Sequence, residues 1–211
     1  MPTLHTTYFG PVSWYAAIAN GGGAAISASE DYRKQTERNR CRIATANGVQ
    51  LLTVPVTLPP SAQGGKCPIR QVRISDHGNW RHLHWQALQA AYGMSPFFDY
   101  YADDFQTLYR RPPAGLADFN HALLTLMLRL LDLECSLTRS SRYVTPHESM
   151  TDLRTVISPK ASPGADPRFE PRPYYQVFAA RTGFLPRLSM VDLLFHMGPE
   201  SRLILRDSLR R

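Results

Sequence analysis

The sequence predicts one α/β domain, spanning residues 1–211, in which helices pack on a mixed central sheet. Short alternating or apolar runs bounded by glycine and proline indicate strands. A helical periodicity lies between the first two of these runs, as in an α/β unit. Later, an apolar stretch from Leu116 to Leu133 is long enough for a buried helix. Hydrophobic residues make up 43% of the 211-residue chain, enough for a substantial core, and neither a repeat nor a linker marks a second domain.

The elements follow in chain order from these patterns. Predicted strands cover residues 4–9, 24–28, 41–45, 51–57, 69–74, 135–138 and 174–178. Predicted helices cover residues 12–20, the run from Asp76 or Asn79 to Tyr92, 102–109, 116–133, a weak one at 150–156, and 189–196, while residues 203–209 fit a helix or a strand. The strongest hairpin signal is Asn47-Gly48, because this pair favours a two-residue turn. Ser189 with Asp192 three residues later is typical of a capped helix start.

A basic stretch from Glu30 to Arg42 is the most informative feature of the sequence. It contains five cations, Arg33, Lys34, Arg38, Arg40 and Arg42, with predicted strands on both sides. Guanidinium groups bind phosphate and carboxylate oxygens two at a time, so such a cluster suits an anion site. On an extended segment, alternation places Arg38, Arg40 and Arg42 on one face. The alternative is a solvated, charge-rich turn.

Further candidate residues lie outside this stretch. His77 and His82 are candidates for a general base, since histidine titrates near neutral pH. Their spacing with His84 is not that of a zinc pair, and packing is the competing role for this segment. Ser140 and Ser141 follow a predicted strand and are either ligand contacts or an ordinary turn.

The cysteines and the overall charge limit the function classes. Cys41, Cys67 and Cys135 form no CxxC pair, which predicts free thiols in a reducing compartment. Cys41 lies in the basic stretch, where cations would lower a thiol pKa, although a small buried strand residue explains it equally well. The net charge is +7, yet its arginines are largely dispersed, so we expect no specific nucleic-acid partner. We expect neither a membrane span nor a signal peptide, and hence a cytoplasmic location.

Several blocks resemble one family across nearly the whole chain. They are Tyr8-Phe-Gly-Pro, the run from Tyr32 to Ile43, Leu51 to Val56, Trp85 to Tyr101, Ser140-Ser141, and Phe184 to Pro199. Together they are similar to the WbqC-like family. Two departures are Thr6-Thr7 in place of the family's usual Gln-Pro, and the segment between Ser141 and Tyr174, which lacks a glycine- and tyrosine-bearing motif of longer members.

The resemblance implies a role in O-antigen or other surface-polysaccharide biosynthesis, with glycyl (aminoacyl) transfer to an amino sugar as the suggested reaction. It also implies that the basic stretch binds a phosphorylated or nucleotide-linked sugar, similar by analogy to nucleotide-binding α/β enzymes. Candidate ligand-binding residues are Tyr8, Tyr32, Gln35, Arg38, Asn39, Arg40, Arg42, Ser140 and Ser141; candidate catalytic residues are Lys34, His77 and His82. The alternative is a non-catalytic nucleotide or sugar-nucleotide binding protein of a biosynthetic complex. The pattern indicates no metal and leaves the cofactor and oligomeric state open.

Overall fold

The computed structural model describes residues 1–27, 29–62, 66–140, 151–158 and 166–210. It has the predicted fold class, a mixed α/β domain with helices packed around a small parallel sheet. Its elements are β1 (Thr3–His5), α1 (Val12–Asn20), β2 (Gly23–Ser27), β3 (Arg40–Thr45), β4 (Gly48–Thr53), β5 (Val56–Thr57), β6 (Arg73–Ile74), α2 (Trp80–Tyr92), α3 (Phe98–Arg110), α4 (Leu116–Leu130), β7 (Ser136–Ser140), α5 (Ala179–Thr182), α6 (Met190–Met197) and α7 (Ser201–Asp207).

The parallel sheet has the strand order β1-β2-β7. Helix α1 connects β1 to β2, so the two strands pair in parallel with His5 opposite Ser27. Strand β7 pairs with β2 from Gly23 opposite Ser136 to Ser27 opposite Ser140. A Cβ at Gly23 would lie 2.0 Å from the Ser136 carbonyl oxygen, so this pairing requires glycine. All three strands therefore end at one edge, beyond His5, Ser27 and Ser140.

Helix α4 lies in the core, as its apolar circumference predicts. Leu116, Phe119, Leu123 and Met127 are at most 1% exposed. The helix ends at Leu130, before the predicted Leu133, because Asp132 takes a left-handed backbone conformation with φ of 51°.

The Asn47-Gly48 hairpin forms as predicted. Strands β3 and β4 pair antiparallel from Arg40 opposite Thr53 to Thr45 opposite Gly48, and Gly48 has a φ of 99°. The strand after Leu51 breaks before Pro55 and resumes as β5, which pairs with β6. Antiparallel pairing among the named strands is thus confined to two small two-stranded sheets.

Two predicted elements and one predicted helix cap are wrong. Residues 174–178 form no strand, because the Tyr174 and Gln176 side chains donate to Asp192 and the Val177 amide donates to His196 of α6. The described part of the predicted 150–156 helix instead lies beside β1, where the Leu153 amide donates to the Thr3 carbonyl. Ser189 precedes α6, but its hydroxyl donates to the Arg42 carbonyl rather than capping the helix.

Candidate functional site

A large cleft opens beside strand β3 and the loop that precedes it. Its volume is about 520 Å³, within the range of small-molecule sites. Its walls come from the start of α1, the loop and strand of residues 35–42, the 156–158 and 166–171 segments, and the residues before α6. Cationic lining residues are Arg40, Arg42, Arg187 and Arg210; acidic ones are Glu37, Asp166 and Glu170.

Arg40 and Arg42 supply the cationic face of the cleft. Strand alternation makes both half-buried, whereas Cys41 and Ile43 between and beyond them are buried. Among the described residues, neither guanidinium forms an ion pair, and the Arg40 Nε atom is buried without a hydrogen-bond partner. Two guanidiniums that no described carboxylate neutralises make this wall suitable for an anion.

The acids on the opposite wall are already neutralised. Asp166 lies 3.0 Å from the Arg168 Nε atom, and Glu170 lies 3.2 Å from Arg210. The amide of Glu170 also donates to Ser208, and the amide of Arg210 donates to Arg168, which fixes this wall against the C-terminal residues. Arg40 and Arg42 are therefore lining cations without an ion pair among the described residues.

Glu37 is the carboxylate nearest to the cationic face. Burial raises its pKa to about 7, against the opposing effects of its own backbone amide and of Arg42, Arg38 and Arg187. Its side chain is 14% exposed, yet Oε2 is buried and has no hydrogen-bond partner in the described part of the chain. A carboxyl group that exchanges a proton near neutral pH inside a cleft is a candidate general acid or base.

The loop before β3 determines where Glu37 points. Gln35 adopts a left-handed conformation with φ of 60°, and the Thr36 hydroxyl donates to the Arg33 carbonyl. The Glu37 carbonyl then accepts from the Tyr8 amide at 2.8 Å. Asn39 joins the loop to the residue that follows β4, because its side-chain amide donates to the Val54 carbonyl 2.9 Å away. These bonds place Glu37 at the cleft and turn Arg38 away from it.

Arg38 lies behind the cleft and does not line it, so the predicted alignment with Arg40 and Arg42 is wrong. Its guanidinium donates twice to Glu30, with Nη2 2.6 Å from Oε2 and Nε 3.2 Å from Oε1. The Arg38 carbonyl accepts from the Asn120 side chain. Residue 38 precedes β3, so strand alternation does not extend to it.

The structure separates the other predicted site residues. Gln35 lines the cleft, whereas Lys34 is exposed outside its lining. Tyr32 and Asn39 are buried behind the cleft lining. Tyr8 lies in the core, where its hydroxyl bonds to His84 Nδ1 at 2.8 Å and to the Tyr109 hydroxyl.

The remaining candidates lie apart from this cleft. His77 and His82 are exposed, at and within the start of the α2 region, and do not line it. Ser140 ends β7 at the carboxyl edge of the parallel sheet. Ser141 lies outside the described residues. The catalytic and ligand-binding roles of these residues stay predictions.

Cys41 lines the cleft but is not an activated thiol. Burial raises its pKa well above the ordinary value, and the lowering that opposes burial comes from hydrogen bonds with the Ser189 side chain and the Leu52 backbone rather than from the cations that the sequence suggested. Glu37 and Arg187, conversely, were not among the predicted site residues. Glu37 is one of three acids within the basic stretch, and its perturbed pKa comes from burial, which the sequence does not reveal.

Comparison of the sequence with known proteins gives one family match and one relative. The family model described as "WbqC-like protein family" matches residues 6–166, which include β3, Glu37, Arg40 and Arg42. The chain belongs to the WbqC-like protein family. It is also 30% identical over 200 residues to "Uncharacterized protein Rv1507c" of Mycobacterium tuberculosis (strain ATCC 25618 / H37Rv), covering 83% of this chain and 84% of the relative. No solved structure matches this WbqC-like protein.

Two negative findings concern the described part of this WbqC-like chain. Within it, none of the helices is long and apolar enough to cross a membrane. The same residues contain no group of three or more histidine, cysteine or acidic side chains placed to hold a metal ion.

Proposed function

We propose that the cleft binds a phosphorylated or nucleotide-linked sugar, with Arg40 and Arg42 contacting its phosphate oxygens. The observation that carries the proposal is the pair of guanidiniums, Arg40 and Arg42, that form no ion pair among the described residues and lie with Glu37 in a cleft of about 520 Å³. Such a volume accommodates a ligand of nucleotide-sugar size. A bound phosphate would relieve the repulsion between the two cations, because it supplies the counter-charge that the described protein lacks.

In the proposed reaction, Glu37 is the general base for aminoacyl transfer to an amino sugar. The carboxylate accepts a proton from the amino group, whose nitrogen attacks the carbonyl carbon of an activated aminoacyl ester. A C–N bond forms, the bond from carbonyl carbon to leaving oxygen breaks, and the protonated Glu37 returns its proton to that oxygen. A carboxyl group with a pKa of about 7 suits both steps. This choice of reaction rests on the sequence resemblance, which implies glycyl transfer in surface-polysaccharide biosynthesis.

The alternative is a non-catalytic protein that binds the same ligands. One observation favours it: Cys41 is the thiol in the described lining, and its raised pKa makes it a poor nucleophile. The binding protein and the enzyme share the anion site and differ at Glu37, since direct transfer needs a base and binding alone does not.

Mass-spectrometric screening against nucleotides and nucleotide-linked sugars, followed by calorimetric titration of the ligand found, tests the anion site. Arg40→Lys and Arg42→Lys keep the charge but lose the planar two-pronged geometry, so we expect affinity to fall about 10- to 100-fold. Arg129→Lys is the matched control, because Arg129 pairs with Asp104 on the surface away from the cleft. Unchanged affinity in both cleft variants would contradict the proposed site.

Incubation of the bound amino sugar with an activated aminoacyl ester then separates the two functions. For an enzyme we expect amide product from the wild type, a rate that rises with pH through about 7, and at least a hundredfold loss in Glu37→Gln. If the protein only binds the sugar, wild type and Glu37→Gln should both bind it and should show the same background rate of amide formation.

A further inference from the structure

His5 and Glu37 face each other, with Glu37 in the cleft lining and His5 buried behind it. The His5 Nε2 atom lies 3.9 Å from the Glu37 Oε2 atom, about 1 Å beyond hydrogen-bond distance. His5 is 1% exposed, and among the described residues neither of its ring nitrogens has a hydrogen-bond partner, nor does Glu37 Oε2. Buried polar atoms are normally bonded, so three orphaned atoms on two adjacent side chains require an explanation.

We infer that His5 is a positioning residue for Glu37, bonding to Oε2 in both protonation states of the carboxyl group. With its proton on Nε2, His5 donates to the ionised carboxylate. With its proton on Nδ1, His5 accepts at Nε2 from the protonated carboxyl group. The inference rests on the proposed function only for the catalytic purpose of the pair, since the pair itself exists without a ligand.

The surroundings of the His5 Nδ1 atom allow the imidazole proton to move between the two ring nitrogens. In many histidine pairs a second hydrogen bond holds one tautomer. Here Nδ1 has no such bond within the described structure, so neither tautomer is held. Closing the 3.9 Å separation between His5 Nε2 and Glu37 Oε2 to hydrogen-bond distance needs a movement of about 1 Å.

The charged surroundings leave Glu37 as the group that titrates. His5 is faced by Arg38, Arg154 and Asp152, and burial followed by the two arginines holds its pKa well below the ordinary value. Hydrogen bonds from Arg154 hold the pKa of Asp152 low. Glu37 itself is faced by Arg42, Arg38 and Arg187, besides His5. Around neutral pH the imidazole therefore stays neutral while the carboxyl group changes charge.

Nitrogen-15 NMR of ring-labelled histidine in the ligand-free protein tests the inference. We expect the two His5 ring nitrogens to exchange their protonated and unprotonated chemical shifts with a midpoint near pH 7, following Glu37. In Glu37→Gln the shifts should not change with pH, because the amide carries no titrating proton. His5 shifts that stay constant from pH 5 to 9 in the wild type, or that report a doubly protonated ring, would overturn the inference.

Replacement of His5 provides the second measurement. In His5→Phe we expect the carbon-13 titration midpoint of the Glu37 carboxyl group to rise by about one pH unit, because the ionised form loses the stronger hydrogen bond. His5→Gln should restore it, since its amide can donate or accept. A midpoint unchanged in both variants would show that His5 acts only in packing. Both measurements omit the ligand, so absence of sugar binding would contradict the proposed function and leave this test standing.

Discussion

Arg38 Nη2 lies 2.6 Å from Glu30 Oε2 with both side chains buried, directly behind the strand that carries Arg40 and Arg42. This ion pair explains why one arginine of the basic stretch supports the cleft while two others line it. Arg38 also donates to the Thr36 hydroxyl, 3.2 Å away, and accepts from Asn120 through its carbonyl. The pair joins the loop before β3 to the core helix α4.

Removing the acid of this pair should strongly destabilise the protein. Glu30→Gln leaves a buried guanidinium without its counter-charge, and we expect a loss of about 3–5 kcal/mol in the free energy of unfolding, measured by denaturant titration. Asp104→Asn breaks the exposed pair with Arg129 and should cost at most about 1 kcal/mol. Equal, small losses of unfolding free energy in both variants would show that the buried Glu30–Arg38 pair stabilises the protein no more than the exposed Asp104–Arg129 pair.

Glu37→Gln should stabilise the protein at alkaline pH. The carboxyl pKa is raised from an ordinary 4.5 to about 7, so the folded state binds more protons than the unfolded state between these values. Stability of the wild type therefore falls as pH rises from about 4.5 to 7. The variant lacks this loss, which is on the order of 3 kcal/mol at pH 8.

Melting curves of wild type and Glu37→Gln between pH 4 and 8 measure this difference. Glu170→Gln is a suitable comparison, since Glu170 lines the same cleft but is paired with Arg210. If the difference in melting temperature between wild type and Glu37→Gln does not increase with pH, Glu37 ionises as an ordinary glutamate.

Truncation within helix α4 should reveal its central position. Leu124 is 4% exposed, so Leu124→Ala should lower the free energy of unfolding by about 2–5 kcal/mol. Leu83, on the exposed side of α2, provides the comparison, and Leu83→Ala should change stability by less than about 0.5 kcal/mol. Denaturant midpoints that coincide for the two variants would place α4 at the periphery.

Cys41 should resist thiol reagents in the native protein, although it lines the cleft. Burial raises its pKa, so the reactive thiolate is scarce at pH 7–8. Timed maleimide labelling with peptide mapping should find Cys135, which is half-buried, modified well before Cys41. Faster modification of Cys41 would restore it as a candidate nucleophile.

The sequence predicted the elements that local chemistry determines. The bounds of α1 and the Asn47-Gly48 turn follow from the glycines that end or turn the chain. It failed at residues 174–178, where side-chain bonds to Asp192 and His196 replace a strand ladder. Those bonds join positions that are distant along the chain, and no periodicity encodes them.

In the candidate site, too, the sequence predicted the features that depend on local structure and missed those that depend on distant contacts. Arg40 and Arg42 lie on one face of β3 because alternation holds within a strand. Arg38 escapes this rule because it lies in the preceding loop, where Gln35 reverses the backbone. The pKa of Glu37 depends on its burial by segments that are distant along the chain. The sequence therefore reveals the residue but not its raised pKa.

The hydrogen bond from the Ser189 hydroxyl to the Arg42 carbonyl has a consequence for biosynthesis. These residues are 147 positions apart and their atoms lie 2.7 Å apart. Since chains are made from the N-terminus, the strand bearing Arg40 and Arg42 leaves the ribosome long before the residues that complete its cleft. An incomplete chain therefore exposes Arg40 and Arg42 to cellular polyanions before the opposite wall of the cleft has been made. Selective ligand capture becomes available only after residue 210 has been made, because Arg210 also belongs to that wall.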